Sequence, residues 1–161
     1  MRKKELKIFI YEYDNVLELP EEDKQLVLAA REASDHAYAP YSNFHVGAAV
    51  LLENGEVIKG NNQENADFTD GLCAERVALF YANATFPDTK VEAIAVTAKN
   101  SKGLVKDLAL PCGSCRQAII EAQSRYKHHI RIILDGAKKL MVVKNAEYIL
   151  PFAFKPDVLD T

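Results

Sequence analysis

Cysteine is scarce in this chain: among 161 residues there are three, Cys73, Cys112 and Cys115. The missing fourth excludes a structural zinc site built from four cysteines. No apolar run is long enough to span a bilayer, so no membrane partner is expected. Positive charge is not in excess. Twenty Lys and Arg against 23 Asp and Glu leave a net charge of −3, which excludes a nucleic-acid surface at the level of the whole chain. The basic start Met1-Arg2-Lys3-Lys4 runs into a short mixed segment with Glu5 and Lys7, not into the longer apolar region of a secretory signal. Three cysteines concentrated in one candidate site fit a reducing compartment, and the cytoplasm is the expected location. Internal repeats, linkers and low-complexity stretches are also missing. The length suits one domain with a substantial core, and 48% hydrophobic with 27% charged residues is ordinary for a globular protein.

What is present centres on two short pieces, Cys73-Ala74-Glu75-Arg76 and Pro111-Cys112-Gly113-Ser114-Cys115. A Cys-x-x-Cys pair lets two sulfurs meet on one ion where a helix starts between them. Three thiolates fill three corners of a zinc tetrahedron and leave the fourth for water, the arrangement of a catalytic zinc. Glu75, two residues after the first sulfur, can reach that water without ligating the metal. Taken singly, a Cys-x-x-Cys is also read as a redox pair or half a structural zinc site, and a Glu in a first helical turn as a partner of the helix dipole. The two pieces in this order, with Pro111 in place, favour one catalytic Zn2+ per chain held by Cys73, Cys112 and Cys115.

Around these pieces the chain alternates strands and helices. Residues 6–13 are β-branched and aromatic and predict a strand. Pro20 opens a helix with Glu21, Glu22 and Asp23 in its first turn and Leu26, Ala29, Ala30 and Ala33 facing the core. His36, near the end of that helix, reads as a partner of its dipole. Residues 44–52 and 56–60 predict two strands joined by Asn54-Gly55. The polar cluster Asn61-Asn62-Gln63-Glu64-Asn65 reads, on composition alone, as a solvated turn. Cys73 begins a helix to about Tyr81 with Val77 and Phe80 on its buried face, and Cys112 begins another through Ala118, Ile119 and Ala122. Both metal-binding pieces thus lie at helix N-termini, whose positive ends favour thiolates. Residues 91–98 form an interior strand and 99–106 a polar loop. Residues 130–134 and 140–143 are short strands around Asp135-Gly136, a second hairpin signal. His128 and His129 are read as surface residues, and the last few residues are expected to fray.

The chain resembles the small, homotetrameric, zinc-dependent cytidine deaminases. The resemblance covers about residues 22–156 and rests on five motifs in order. These are residues 38–48 from Tyr38-Ala39-Pro40-Tyr41-Ser42 to Gly47-Ala48; Asn62-Gln63-Glu64-Asn65-Ala66; Cys73-Ala74-Glu75-Arg76; Pro111-Cys112-Gly113-Ser114-Cys115-Arg116-Gln117; and Leu150-Pro151 with Phe154. Cys-x-Glu followed by Pro-Cys-x-x-Cys is the signature of zinc-dependent nucleobase deaminases. The resemblance implies an α/β, three-layer fold with a five-stranded mixed sheet and helices on both faces. An extra N-terminal strand would form an extension (residues 1–19) to the deaminase domain (residues 20–161). It implies hydrolysis of cytidine and deoxycytidine to uridine and deoxyuridine, a pyrimidine-salvage reaction, by a homotetramer with shared active sites. Glu75 would carry protons; Arg76 would bond the thiolates; Asn62 and Glu64 would hold the ribose 3′-hydroxyl; Phe44 would pack near base and sugar. The backbone of Ala74 would hold the 4-amino end, and Phe154 would enter a neighbouring subunit's site.

The chain departs from the family at Asp67-Phe68-Thr69-Asp70, where a small residue and Tyr-Pro are common. A hydroxyl and a rigid ring are lost, and two acids enter the loop before Cys73. Competing readings are a deaminase of an aminonucleoside antibiotic such as blasticidin S, a non-catalytic zinc-binding module, and a nucleic-acid-editing deaminase. The retained ribose motif argues against the first. Glu75 with the open fourth corner argues against the second. The acidic charge balance argues against the third.

Overall fold

The computed structural model describes residues 1–159. One mixed sheet runs through it. Next to one edge lies β2 (His45–Leu52), antiparallel on one side to the edge strand β3 (Val57–Asn61) and on the other to the central β4 (Val91–Asn100). Beyond β4 lie β6 (Arg131–Leu134), parallel to β4, and β7 (Leu140–Val143), antiparallel to β6. These are the five strands expected. Two short additions flank them: β1 (Tyr11–Tyr13) on the free edge of β7 and β5 (Gly103–Leu104) folded back on the end of β4.

β2 and β4 are apolar on both faces because both faces are covered. Ala49, Leu51, Ala93 and Ala95 point to one side, where Leu26, Val27 and Ala30 of α1 (Glu21–Ser34) close a core. Ala48, Val50, Ile94 and Val96 point to the other, against Ala78 and Leu79 of α2 (Ala74–Thr85) and Ile119 and Ile120 of α3 (Gly113–Tyr126). Close approach of the helices requires two glycines. A Cβ at Gly47 would lie 2.0 Å from Ala30 O, and one at Gly60 2.5 Å from Ala78 N. Gly60 therefore lets α2, which carries Glu75, lie flat on β3.

Several boundaries differ from expectation. The N-terminal strand is Tyr11–Tyr13, not residues 6–13. Its partner sets the limit: Tyr11 pairs with Val142, and β7 ends at Val143, where Asn145 turns the chain by capping a 3-10 turn. Phe9 leaves the strand line and meets the Tyr148 ring at 6.4 Å. Asn54-Gly55 does lie between β2 and β3, with Gly55 at φ +87°, in the four-residue connection 53–56. Helix α2 runs on to Thr85, and its buried stripe is Ala74, Glu75, Ala78, Leu79 and Ala82. Phe80 is exposed and Val77 only half-buried, because Glu75 turns the stripe toward its own side. The expected fraying of the chain end falls partly on Asp160 and Thr161, which lie outside the described residues.

Candidate metal centre and substrate cavity

Cys73 and Cys112 are the N-caps of α2 and α3, and Cys115 stands in the first turn of α3. Their Sγ atoms lie within 4.8 Å of one another, at 3.8 Å for Cys73–Cys112 and 3.4 Å for Cys112–Cys115. Tetrahedral zinc with Zn–S bonds of about 2.3 Å separates its sulfurs by ~3.8 Å, so the three fit one ion. The electrostatics fit as well. Hydrogen bonding from Cys115, helped by Arg76, draws the Cys73 thiol down to about 5. The same bond, together with burial, pushes Cys115 up. The trio therefore shares protons that a cation would displace. Arg76 donates through Nη2 to Cys73 Sγ at 3.8 Å, while its Nε is buried without a hydrogen-bond partner. A buried donor left unpaired is costly, and an anionic sulfur cluster beside it is the acceptor that its chemistry suits. Cys73, Cys112 and Cys115 are thus placed to bind one metal ion.

Glu75 is 4% exposed. Burial raises its pKa above the usual carboxylate range, and the neighbouring Cys73 charge adds to the rise. A carboxyl group able to hold a proton nearer neutrality is a candidate proton carrier.

Glu75, Cys73 and Cys112 open into a cavity of about 750 Å³. Phe44, Asn62, Glu64 and Phe68 line one flank and residues 105–110 the other. The polar cluster at residues 61–65 is therefore not a solvated turn. Asn62 Oδ1 accepts from Val46 N–H at 2.7 Å and Nδ2 donates to Phe44 O at 2.9 Å, tying the end of β3 to the start of β2. Glu64 accepts from Tyr41 N–H at 2.9 Å, from Ser42 N–H at 3.3 Å, and from the Ser42 hydroxyl. These bonds, that of Ser42 first, lower its pKa. An amide has two donors and a carboxylate about four acceptor positions. One donor on Asn62 and one acceptor position on Glu64 remain, a pair that matches a hydroxyl group.

Two predicted residues are not in the cavity wall. Ala74 is fully buried beneath it. Phe154 is 59% exposed and lies outside this chain's cavity. Its backbone is pinned to Gln117, whose Nε2 donates to Phe154 O at 2.7 Å. The loop that departs from the family is ordered without proline: Asp67 N–H donates to Asn65 Oδ1, and Thr69 donates through both N–H and hydroxyl to Asp67 Oδ1. Phe68 meets the Tyr41 ring edge-on at 5.7 Å over the cavity. Sequence reading makes residues 99–106 a polar loop, whereas β4 runs to Asn100, β5 takes Gly103–Leu104, and Val105 and Lys106 join the cavity wall. It assigns no role to residues 107–110, which have no periodicity and only their position just before Pro111 as a local signal.

A family model for the cytidine and deoxycytidylate deaminase zinc-binding region matches residues 20–129. A cytidine deaminase of Halalkalibacterium halodurans is 44% identical over 100 residues, 62% of this chain and 71% of that one. One from Sporosarcina psychrophila is 41% identical over 98 residues, 61% and 68% of the two chains. Among solved structures, cytidine deaminase from Burkholderia pseudomallei superposes with a TM-score of 0.69 at 39% identity, covering 81% of this chain and 97% of that one. The enzyme from Mycobacterium tuberculosis gives 0.63 at 30%, covering 81% and 95%.

Proposed function

The chain belongs to the cytidine and deoxycytidylate deaminase family, and from that membership we infer that it catalyses zinc-dependent hydrolysis of the 4-amino group of cytidine. The observation that carries this reading is the meeting of the three-sulfur cluster and a buried Glu75 in one cavity with Asn62 and Glu64. Cys73, Cys112 and Cys115 would hold the zinc, which would supply the Lewis acidity that brings the pKa of water toward neutrality. Glu75 does the proton work. Its carboxylate takes a proton from the attacking water and delivers it to ring N3, which makes C4 electrophilic. It then carries a second proton to the amino group, so that water and cytidine become uridine and ammonia. Arg76 offsets the negative charge of the thiolates. The test is the ultraviolet change on mixing purified, zinc-loaded protein with cytidine, deoxycytidine, free cytosine and an oligonucleotide. Turnover of the two nucleosides is expected, and turnover of the oligonucleotide alone would overturn the reading. Deoxycytidine belongs with cytidine because nothing in the Asn62–Glu64 pair asks for a 2′-hydroxyl. The same pair argues against an aminonucleoside antibiotic as the substrate.

Asn62 and Glu64 hold the sugar through their spare donor and spare acceptor. Phe44 packs beside base and sugar, and the backbone of Ala74 holds the 4-amino end. Glu64→Gln and Asn62→Ala should therefore lower kcat/KM for cytidine far more than for cytosine, by about 10²-fold or more where a polar pair facing the sugar is left unmatched. The loss should appear in kcat as well as KM, since binding of the remote sugar orients the ring. Equal effects on cytidine and cytosine would mean that these residues do not hold the sugar.

The working enzyme is a cytoplasmic homotetramer of a 20–161 domain carrying a 1–19 extension, acting in pyrimidine salvage without nucleic acid. Support for shared sites comes from Phe154, exposed on a backbone pinned by Gln117 and outside the wall of this chain's substrate cavity. Mixed under subunit exchange, Glu75→Gln chains and Phe154→Ala chains, each inactive alone, should regain activity in sites that pair an intact Glu75 with an intact Phe154. No recovery despite demonstrated exchange would confine Phe154 to its own chain.

A further inference from the structure

Asp135-Gly136 has the composition of a tight hairpin turn, yet Asp135 is fully buried and the β6–β7 connection is longer, residues 135–139. The carboxylate takes both prongs of the Arg31 guanidinium, Nε to Oδ2 and Nη2 to Oδ1, each at 2.8 Å. The buried Thr97 hydroxyl donates to Oδ2 at 2.7 Å. Helix α1, strand β4 and the end of β6 thus meet on one carboxylate. The backbone extends the network toward the cavity. Asp135 N–H donates to Val96 O at 2.9 Å, Ala109 N–H to Asp135 O at 3.0 Å, and Ala137 N–H to Val105 O at 2.8 Å. Between these bonds sits Gly136, where a Cβ would stand 2.8 Å from Asp107 O. Residues 105–109 are clipped at both ends to residues 135–137. Val105, Leu108, Ala109 and Leu110 form the cavity flank that leads into Cys112.

We propose that the Arg31–Asp135–Thr97 cluster is a positioning device for deamination: it fixes the 105–110 flank of the cavity at the spacing the pyrimidine needs from the Phe44–Asn62 flank. The inference rests on cytidine being the cavity's substrate. The cluster touches neither the sulfurs nor the cavity, so it acts only through the wall. Its form suits placement more than stability. A buried ion pair is often matched or exceeded in stability by apolar residues of similar size, whereas a planar fork on a planar carboxylate admits one relative orientation.

The experiment uses the full zinc-loaded chain and three variants: Thr97→Val, Asp135→Asn, and the double Arg31→Met with Asp135→Leu. The measurements are Ala109 amide exchange, Tm, zinc content, and kcat and KM for cytidine. Asp135→Asn places an amide donor against an arginine donor; it should raise KM about tenfold, with a smaller fall in kcat, since displacement of a cavity wall by ~1 Å can cost up to 10²-fold. Ala109 exchange should quicken while zinc stays at one per chain. Thr97→Val removes a single hydroxyl and should shift KM and Ala109 exchange in the same direction by less, which keeps the test open if Asp135→Asn does not fold. The double variant should recover Tm but not KM. A KM that returns with Tm in the double variant, or Ala109 exchange unchanged in Thr97→Val and Asp135→Asn, would overturn the proposal. Absence of cytidine turnover by the parent would instead remove the assigned substrate, and Ala109 exchange would still decide whether the cluster holds the wall.

Discussion

Glu75→Gln is expected to lower cytidine turnover by at least ~10²–10⁴-fold, the usual weight of one general acid–base group, and by more because the same carboxyl serves successive transfers. Fold and zinc content should be unchanged. Gln keeps the shape of Glu and a hydrogen-bonding end, and Glu75 stands beside the three sulfurs without belonging to their cluster. Stability should not fall. Burial raises the Glu75 pKa on folding, so the folded chain binds more protons than the unfolded one. Stability from this group is therefore present at acid pH and lost as pH rises through the folded value. Above the folded value the desolvated carboxylate costs stability that a neutral amide does not. A Glu75→Gln protein with one zinc per chain, a Tm no lower than the parent, and a rate reduced by orders of magnitude is the expected combination. A rate within tenfold of the parent would take Glu75 out of the mechanism.

The parts of this site that were legible in the sequence are those whose chemistry is local. Cys73 and Cys112 announce helix starts, and the structure makes each an N-cap. Cys115 follows at a spacing that one ion can bridge. Strand order was less legible than strand existence, since β4 and β6 are joined by a parallel pairing across α3, of which the resemblance implied no more than a mixed sheet. The misreadings share a physical cause: partners distant in the chain. Strand β1 stops where β7 runs out of backbone to pair with, 131 residues away along the chain for Tyr11 and Val142. Phe80 is exposed because the buried stripe of α2 was rotated by a buried carboxylate, and apolar periodicity counts carboxylates as surface. Asp135 was read as a turn residue because Asp-Gly has turn chemistry locally; the fork of Arg31, 104 positions away, decides otherwise. Asn62 carries two duties, bracing β2 against β3 and facing the cavity, and a motif discloses only one.

Loss of any one thiolate should abolish activity outright and release most of the zinc, and Cys112 gives the cleanest form of that test. Cys112 is exposed and caps α3 through its backbone, with no side-chain cap bond. Cys112→Ala therefore removes a sulfur while creating no cavity in the core. Cys115, by contrast, is fully buried, and its truncation would mix metal loss with a packing defect. With only two sulfurs left, the ion loses a third of its protein ligands, and the positive Arg76 guanidinium is left facing a smaller negative charge. Destabilisation should follow by linkage. A ligand that binds only the folded chain stabilises it by about 4.1 kcal/mol at a thousand times its dissociation constant. The parent Tm should accordingly fall on treatment with a chelator and return with added zinc, while the Tm of Cys112→Ala should respond to neither. The expected readings are zinc well below one per chain, no detectable turnover of cytidine, and a Tm near that of the chelated parent. A Cys112→Ala protein that keeps one zinc per chain and full turnover would refute the three-sulfur site.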